Sequence, residues 1–571
     1  MSGRYSSLTT ALLIGAFAIV LQGIIFPYTL IGGDEGRYAQ DAMRLVGGEW
    51  PIADFTTRTP LLLMLIAFSV QLFGVSIITL KLPLLLVHAL TCVLMYIVGR
   101  EYFSERIGRI AGILYGSIPY TLWNGALMKS ESLAILFMLG ALYAYSRAIR
   151  GREAGWLIIA GVFVGAALVE RLSAVIVVGV VGMMMVFDSK SSPSERERLW
   201  IALRRGSIFS VGIILGFAFV TLPLFLRNAQ SVATFYFSPF LLDAVTGAKE
   251  VSWTLLGTLR IWGIVLTETI AVQAWVLFPL FLIFCVGAMR LYFPSLSRTV
   301  MYVPSILLGA AFLVHTGVIL YYGTYHPEVF PLVLASTGIF LGVLVWSMRT
   351  NTVSFVGKER GIFLIIMWMI MHGIAYSFFL PGYSRELIPP LVFAAAVVID
   401  AHWVIWQRSY MERGLLVLAA VGLWGAGVIW YQNPRVGGWW WSQETMRGVA
   451  GYVRENTTPG ERIFAANPLP VVLAGRRTVL DMNPYAIVLA PNSDTSWGSF
   501  ASPNAYYQAL VERPPKYTIV DGRMEGQYFS LYPMFKTFIQ TQYHPVETFW
   551  TGERRGKVEI WERNNPASLN Q

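Results

Sequence analysis

The sequence predicts a polytopic α-helical membrane protein with an α/β domain at its C-terminal end. Hydrophobic residues make up 55% of the 571 residues and charged residues only 13%, which is more apolar surface than a soluble core can bury. Apolar runs of roughly 17 to 25 residues, long enough to cross a bilayer, recur from residue 8 to about 430 and then stop. The predicted domains are a membrane domain, residues 1–431, and a C-terminal α/β domain, residues 432–571.

The apolar runs predict thirteen membrane-spanning helices. The first run follows a single basic residue, Arg4, and lacks a small-residue cleavage site, so we interpret it as an uncleaved span. The fifth and sixth spans are short helices that meet at Glu170-Arg171. The predicted centres lie near residues 18, 88, 115, 140, 163, 179, 216, 278, 311, 339, 370, 397 and 422.

Basic residues predict which side of the membrane each loop faces. Loops such as GREYFSERIGR, SRAIRGRE and SKSSPSERERLWIALRR hold, with their equivalents and Arg4, about twice as many Lys and Arg as the loops between them. The positive-inside rule then places the N-terminus in the cytoplasm. After an odd number of spans, the C-terminal domain and the first loop, residues 30–60, lie outside the plasma membrane. The net charge of +10 therefore reflects topology, and no nucleic-acid partner is expected.

Two further segments have patterns of their own. Residues 59–76, TPLLLMLIAFSVQLFGVS, are apolar but short, and an extra span there would invert the topology, so we interpret them as a helix at the membrane surface.

In the C-terminal domain, SQETMRGVAGYVRENTTPGERIFAA predicts an amphipathic helix and a strand, and NAYYQALVERPPKYTIVDG predicts another such pair. PVVLAGRRTVLD predicts short strands about a turn, and KVEIWER a final strand.

The loop after the first span, IGGDEGRYAQDAMRLVGGEWPIADF, places Asp34 and Glu35 side by side. Gly32-Gly33 break the span, and Asp34 is positioned to cap a short helix that Gly47-Gly48 end. A structural interpretation is open, in which Asp34 is a cap and Glu35 is a solvated acid favoured by the helix dipole. The functional alternative is that two adjacent acids raise the pKa of one towards that of a useful base.

With this loop, the sequence resembles the GT-C glycosyltransferases, the superfamily of protein O-mannosyltransferases and the lipid A aminoarabinose transferase. Those proteins have an Asp-Glu pair in the first outer loop, directly after the first span. The segments TTRTPLLLMLIAFSVQLFGVSIITLKLPLLL, LWNGALMKSESLAILFMLGALYAY and GVFVGAALVERLSAVIVV are similar to the family in order and spacing. The resemblance covers about residues 8–400 and implies a fold of GT-C type.

The resemblance implies a transferase that takes a sugar from a polyprenyl (or dolichyl) phosphate. The acceptor would be a hydroxyl outside the cytoplasm, on a protein, a polysaccharide or a glycolipid, and the sugar a hexose or a pentose. Asp34 would take the hydroxyl proton as the oxygen attacks the anomeric carbon with inversion, and Glu35 would orient the acceptor or the donor. Because the lipid phosphate leaves as an anion, cations must lie at the outer headgroup level.

Three arginines are candidates for binding the donor phosphate. Arg58 precedes a proline at the start of the surface helix, where the family often has a basic residue, although it could instead be a snorkelling arginine. Arg171 lies between two short spans, where the family commonly has a lysine, and Glu170 beside it could be its ion-pair partner. Arg385 precedes a span broken by prolines, and with Glu386 it could instead cap that span.

Five polar residues are candidates for binding sugar or acceptor: Lys129, Glu131, His326, Glu328 and Tyr383. Glu131 stands where the family often has an acid, and its alternative is a favourable interaction with a helix N-terminus. His326 and Glu328, separated by a proline, make a weak metal site, so no metal ligand is assigned and a divalent cation is left open.

Two other classes of function compete with a transferase. A transporter or flippase for lipid-linked sugars would also need many spans and intramembrane charges, but the hydropathy pattern shows no inverted repeat. A non-catalytic membrane scaffold would use the Asp-Glu pair only as a helix cap. Within the enzyme interpretation, a nucleotide-sugar donor is less favoured because the sequence has no outer Asp-x-Asp site and no phosphate-binding glycine loop.

Overall fold

A computed structural model describes residues 2–26, 33–55, 59–118, 121–122, 125, 127–151, 153–189, 194–237, 277–292, 358–378, 385–406, 441–479, 503–522, 524–525, 529–550 and 557–564. Within these ranges, the chain is mainly helical before residue 407. After residue 440 it forms a sheet with flanking helices, here called the C-terminal region.

Twelve helices are described before residue 407, and in two of them a serine side chain caps the N-terminus. The Ser76 hydroxyl accepts from the Thr79 amide at 3.0 Å, and the Ser104 hydroxyl accepts from the Ile107 amide at 3.2 Å. The helices are α1 (Ser2–Ile25), α2 (Gly33–Val46), α3 (Pro60–Phe73), α4 (Ile77–Tyr102), α5 (Glu105–Ser117), α6 (Ser130–Ile149), α7 (Glu153–Glu170), α8 (Val175–Asp188), α9 (Glu195–Phe237), α10 (Phe278–Tyr292), α11 (Glu359–Phe378) and α12 (Ile388–Trp406), with 3-10 turns at Leu172–Ala174 and Arg385–Leu387.

Four of the described helices are long and apolar enough to cross a membrane. They are Ser7–Ile24 within α1, all of α4, all of α6, and Glu195–Ala233 within α9. Ten of the thirteen predicted span centres fall inside described helices, and those near residues 311, 339 and 422 lie outside the described residues. A helix within residues 59–76 is confirmed as α3, whereas its place at the membrane surface stays a prediction.

Helices α7 and α9 cross in close contact through glycines. Gly161 and Gly165 on α7 face Gly212 and Gly216 on α9, so each helix carries a pair spaced by four residues. A Cβ atom at any of the four positions would overlap atoms of the facing helix. This spacing of small residues is typical of membrane helices, where it lets two backbones approach closely.

The bundle places its charged residues at two ends. One end, called the motif end, holds Glu35, Lys81, Glu131, Glu170, Arg171 and Glu386. The other, called the opposite end, holds Arg100, Glu101, Arg106, Arg150, Asp188, Lys358, Arg360 and Asp400. Helices α4 and α6 contribute to both, so the ends are separated by about 30 Å, the length of the 20-residue α6. Two loops predicted to be cytoplasmic, GREYFSERIGR and SRAIRGRE, lie together at the opposite end.

The C-terminal region is built on a five-stranded sheet of order β2-β1-β3-β5-β4. Strand β1 is parallel to β2 and β3, whereas β5 is antiparallel to β3 and β4. Ile463, Ile519 and Ile560 are buried with α13, while Phe464 stacks on Phe535 of α16 with ring centroids 6.2 Å apart. The elements are α13 (Gln443–Asn456), β1 (Arg462–Ala465), α14 (Leu469–Leu473), β2 (Arg477–Thr478), α15 (Pro503–Glu512), β3 (Tyr517–Val520), α16 (Pro533–Gln542), β4 (Tyr543–Trp550) and β5 (Lys557–Arg563).

One element prediction for this region is wrong. PVVLAGRRTVLD predicts two strands about a turn, but Leu469–Leu473 is a helix and Arg477–Thr478 alone pairs with β1. Pro470 in the first turn favours a helix because its φ is already fixed, and Gly475, with φ +71°, follows the helix end. The predicted elements α13, β1, α15, β3 and β5 are confirmed, whereas β4 and α16 were not predicted.

Candidate active site

The Asp-Glu pair lies in the first turn of α2. The predicted polar helix is confirmed and ends at the predicted glycines, where the Gly47 amide donates to the Met43 carbonyl at 2.9 Å and Gly48 has φ +92°. The helix begins at Gly33, so Asp34 is its second residue and does not occupy the predicted cap position. Because glycine adopts the backbone angles of a helix start without steric cost, the helix extends further towards the span.

Glu35 forms a buried ion pair with Lys81. The Glu35 Oε1 lies 2.8 Å from the Lys81 Nζ, and each side chain is 1% exposed. The same carboxylate oxygen lies 3.5 Å from the Met128 amide nitrogen, and the Phe26 ring centroid lies 5.7 Å from the Lys81 Nζ. The pair joins α2 to α4, and its attraction is strengthened because little water surrounds it.

The burial of Glu35 excludes one interpretation left open by the sequence. A solvated first-turn acid would be exposed, whereas this carboxylate is enclosed and paired. Lys81 is not among the residues selected from the sequence, although a signal is present. A lysine within the apolar run IITLKLPLLL is costly unless a partner compensates its charge.

Arg171 links two acids from distant parts of the sequence. Its Nη1 lies 3.2 Å from the Glu131 Oε1, and its Nε lies 2.9 Å from the Glu386 Oε1. The Arg171 Nε also donates to the Ser173 hydroxyl at 3.0 Å, and this hydroxyl donates to the Glu386 Oε1 at 2.6 Å. The Arg171 side chain is 26% exposed whereas both acids are buried, so the arginine is the most accessible of these three side chains.

Glu170 is held by the backbone of α3. Its Oε2 accepts from the Leu61 amide at 3.1 Å and from the Leu62 amide at 3.3 Å. These amides belong to the first helical turn, where unpaired N–H groups and the helix dipole favour an anion. The sequence left open an ion pair between Glu170 and Arg171, but among the described ion pairs that arginine bonds to the two acids described above.

The Glu35–Lys81 pair and the Arg171 cluster are neighbours. Met128, whose amide faces Glu35, precedes Glu131 by three residues, which span at most about 11 Å. The predicted meeting of two short helices at Glu170-Arg171 is confirmed, since α7 ends there and a 3-10 turn leads into α8. The predicted start of a helix after Lys129 is confirmed as well.

The third acid of α2, Asp41, has a raised pKa. Burial raises the pKa of Asp41 from 3.8 to about 6, although Arg37 and Arg44 nearby act to lower it. The Arg37 Nε lies 3.7 Å from the Asp41 Oδ2, which is longer than a hydrogen bond. The charge of the helix that carries the Asp-Glu pair therefore changes around pH 6.

The C-terminal region packs directly on α2. A Cβ atom at Gly36 would lie 2.5 Å from the Asn467 Oδ1 and 2.8 Å from the Leu469 amide nitrogen, so glycine is required at this contact. The Gln40 Nε2 also donates to the Thr478 hydroxyl at 2.8 Å. Asn467 is buried, and within the described residues its Nδ2 has no hydrogen-bond partner. The C-terminal region therefore contacts α2 directly beside the Asp-Glu pair.

Six candidate residues are described in part or not at all. Arg58, His326, Glu328 and Tyr383 lie outside the described residues. For the other two, Asp34 and Arg385, the backbone is described but the side chain is not. Arg385 begins the 3-10 turn before α12 and therefore directly precedes the acid that binds Arg171.

Within the described ranges, no group of three or more His, Cys, Asp or Glu side chains is arranged to hold a metal ion. The carboxylates described at the motif end instead face a lysine, an arginine or backbone amides. His326 and Glu328, which the sequence marks as too weak a metal site to be assigned, lie outside these ranges.

Comparisons with known proteins address both sequence and fold. Residues 57–203 match the family of dolichyl-phosphate-mannose-protein mannosyltransferases. The matched segment includes Lys81, Glu131 and Arg171, but it begins after the Asp-Glu pair. A search of curated proteins found no match.

Several solved membrane proteins share the fold. ArnT from Cupriavidus metallidurans, bound to undecaprenyl phosphate, aligns with a TM-score of 0.56 and 14% identity over 96% of this chain and 97% of that chain. The apo oligosaccharyltransferase of Archaeoglobus fulgidus aligns with a TM-score of 0.50 and 15% identity over 92% of this chain and 71% of that chain. The latter protein tethered to an acceptor peptide gives a TM-score of 0.50 and 14% identity, over 98% and 74% of the two chains. The chain therefore has the GT-C fold of these membrane proteins and, as the sequence predicts, resembles the protein O-mannosyltransferases and ArnT.

Proposed function

We propose that this protein is a membrane glycosyltransferase that moves a sugar from a polyprenyl-phosphate donor to a hydroxyl outside the cytoplasm. The observation that carries the proposal is the buried Glu35–Lys81 pair, which lies beside the Arg171 cluster at the motif end. Burying charges costs desolvation energy, and a helical bundle does not need them for stability, so such a constellation indicates a functional site.

The donor class is supported by the description of the matching family and by the ArnT structure. The matching family is described by its use of dolichyl-phosphate mannose, and the ArnT structure holds undecaprenyl phosphate. Both are polyprenyl-type lipids with a phosphate headgroup. A site between membrane helices and a C-terminal α/β region suits a donor that stays in the bilayer and an acceptor that arrives from outside.

The proposed reaction is a single displacement at the anomeric carbon. The acceptor oxygen forms a bond to this carbon, the bond from the carbon to the phosphate oxygen breaks, and the phosphate leaves with the bonding electrons. The acceptor proton moves to Asp34, and the configuration at the anomeric carbon inverts. We assign the proton to Asp34 because the neighbouring Glu35 is already engaged in an ion pair with Lys81.

Arg171 is assigned to the donor phosphate. Two buried acids hold its guanidinium in place, and the arginine side chain stays partly exposed. This arrangement suits a cation that binds an anionic ligand. Arg385, directly before Glu386, and Arg58, two residues before Pro60, are proposed as further phosphate ligands. Fixed cations at this place would stabilise the negative charge that develops on the leaving phosphate.

The remaining candidate residues are assigned to sugar and acceptor. Glu131 is proposed to orient Arg171 and to contact the sugar, and Lys129 beside α6 to contact the same ligand. Tyr383, His326 and Glu328 keep the substrate-binding role that the sequence predicts. Glu35 and Lys81 are positioning residues, since their pairing fixes the first turn of α2 against α4.

A donor panel tests this proposal. The purified full-length protein in lipid nanodiscs would be incubated with polyprenyl-phosphate hexoses and pentoses together with protein, polysaccharide and glycolipid acceptors. Mass spectrometry of both the released lipid phosphate and the acceptor would report transfer. We expect one donor to be consumed with stoichiometric gain of one sugar on an acceptor.

Two outcomes of the panel contradict the proposal. Transfer from a nucleotide sugar, with no polyprenyl phosphate released, would mean that the donor class is wrong. Movement of an intact lipid-linked sugar across proteoliposome membranes, with no transfer to any acceptor, would identify a transporter instead.

A further inference from the structure

A cleft separates the C-terminal region from the hairpin of α3 and α4. It has a volume of about 250 Å³ and borders the start of α4. Its walls include Arg447, Gly451 and Arg454 of α13, and Ser76 and Ile78 at the start of α4. The Glu35–Lys81 pair is almost fully enclosed, so the cleft is separate from the candidate active site.

The α13 wall combines two arginines with a gap. Arg447, Gly451 and Arg454 follow each other at intervals of four and three residues, so they share one helix face. A Cβ atom at Gly451 would have no atom within 4 Å, which leaves open space between the two arginines. A glycine inside a helix costs about 1 kcal/mol relative to alanine, and no backbone strain requires it here.

Both guanidinium groups retain donors for a ligand. Within the described residues, the Arg447 Nη2 donates to the Gln443 Oε1 at 3.4 Å, and the Arg454 Nη2 donates to the Leu473 carbonyl at 2.6 Å. Each guanidinium has five N–H donors, so most remain for other partners. Both arginines are exposed, and described carboxylates form no ion pair with either.

The opposite wall begins a membrane span. Ser76 caps α4, so the positive end of this 26-residue helix borders the cleft. Ile78, Leu86 and Leu90 lie on one face of α4, and all three are exposed in this apolar span. An apolar surface wide enough for an acyl chain therefore runs from the cleft along the span.

We propose that the cleft binds the headgroup of an anionic phospholipid of the surrounding bilayer. Its phosphate lies between Arg447 and Arg454, and its acyl chains follow the exposed face of α4. The combination of two cations, a helix N-terminus and a lipid-facing stripe suits a lipid better than a soluble anion, which would gain nothing from the stripe. This site is independent of the proposed glycosyltransferase activity.

Native mass spectrometry of the full-length protein tests the proposal. Protein released from nanodiscs of phosphatidylcholine with phosphatidylglycerol would be scored for retained phosphatidylglycerol. We expect wild-type protein to retain it selectively. Replacing one arginine by glutamine should weaken retention roughly fivefold, and replacing both should weaken it about 25-fold, because each basic residue near an anionic lipid acts roughly independently.

Two further variants distinguish lipid binding in the cleft from lipid binding by surface charge in general. Gly451→Leu fills the open space without changing any charge, and it should reduce retention as strongly as the double arginine variant. Arg513→Gln with Lys536→Gln removes the same charge from exposed positions outside the cleft, and it should retain lipid like wild type. Normal retention by Gly451→Leu, equal retention of phosphatidylcholine, or displacement by inorganic phosphate alone would each overturn the proposal.

Discussion

The two ends of the membrane bundle differ in the ratio of acidic to basic side chains among the described residues. At the opposite end, Glu101 lies 3.1 Å from an Arg100 nitrogen and 2.5 Å from an Arg150 nitrogen. Asp400 likewise has two cationic partners, at 2.8 and 3.2 Å. At the motif end, the four buried acids Glu35, Glu131, Glu170 and Glu386 lie near the buried Lys81 and the partly exposed Arg171.

This difference separates a structural role from a functional one. An acid with two partly exposed cations ties helix ends together and tolerates the loss of one partner. A buried acid is costly to maintain, and the loss of a partner that pairs with its charge is strongly destabilising. We interpret the motif end as the place where the molecule keeps charge that folding alone does not require.

The largest effect is expected from Lys81→Met. It leaves Glu35 buried without its cation, which should cost about 3–5 kcal/mol of stability. Thermal melting of the purified protein would measure this loss. Lys81→Arg is the control because it keeps the charge, and the double variant Lys81→Met with Glu35→Gln should recover stability. Equal melting temperatures for Lys81→Met and Lys81→Arg would show that the charge of Lys81 does not stabilise the buried Glu35.

The pH dependence of stability should change with Asp41→Asn. The folded-state pKa of Asp41, about 6, exceeds its ordinary value of 3.8, so the folded protein binds a proton as the pH falls through 6 and wild type gains stability towards pH 4. Above pH 6, Asp41→Asn should be the more stable protein by at most about 3 kcal/mol, the free energy that corresponds to this pKa difference. Melting temperatures between pH 4 and 8 would measure the effect. A constant difference across this range would contradict it.

Arg171→Gln should weaken donor binding. Loss of a charge-assisted contact to phosphate costs about 1.5–3 kcal/mol, so the KM for the lipid donor should rise roughly 10- to 100-fold. Arg171→Lys should give an intermediate value, because a lysine keeps the charge without the two-pronged geometry. The double variant Arg171→Gln with Glu386→Gln distinguishes the alternatives. Restored activity in this variant would mean that Arg171 only compensates buried acids.

The smallest effect is expected from Arg150→Gln at the opposite end. Arg150 is half-exposed, and Arg100 remains beside Glu101, so the change should cost less than about 1 kcal/mol. Thermal melting would be compared directly with Lys81→Met. A loss as large as that of Lys81→Met would remove the contrast between the two ends.

Much of the fold follows from sequence patterns because membrane helices have a strong signal. The length of apolar runs predicts the helices, and the second glycine pair, Gly47-Gly48, predicts where α2 ends, whereas α2 begins at Gly33, before the predicted cap Asp34. The helix at Leu469–Leu473 was mistaken for a strand, because a short apolar run is compatible with either element until proline and glycine positions are weighed.

The candidate site was predictable residue by residue, but its pairing was not. Glu35, Glu131 and Arg171 were selected from the sequence, yet nothing in it indicates that Arg171 contacts Glu386, 215 residues later. Lys81 carried a signal of its own as an isolated charge in an apolar run. The contact between Gly36 and Asn467 depends on how the C-terminal region packs against α2. Local sequence patterns do not predict such packing between distant segments.

The central claim is that Asp34 receives the acceptor proton, and single-turnover kinetics of Asp34→Asn test it most directly. Asp41→Asn is the matched control, because it makes the same substitution in the same helix. The donor and acceptor identified by the panel would be mixed with excess enzyme, and donor binding would be measured separately. We expect a rate about 100- to 10,000-fold lower for Asp34→Asn, with donor affinity unchanged and Asp41→Asn close to wild type. A single-turnover rate for Asp34→Asn equal to that of Asp41→Asn would contradict it.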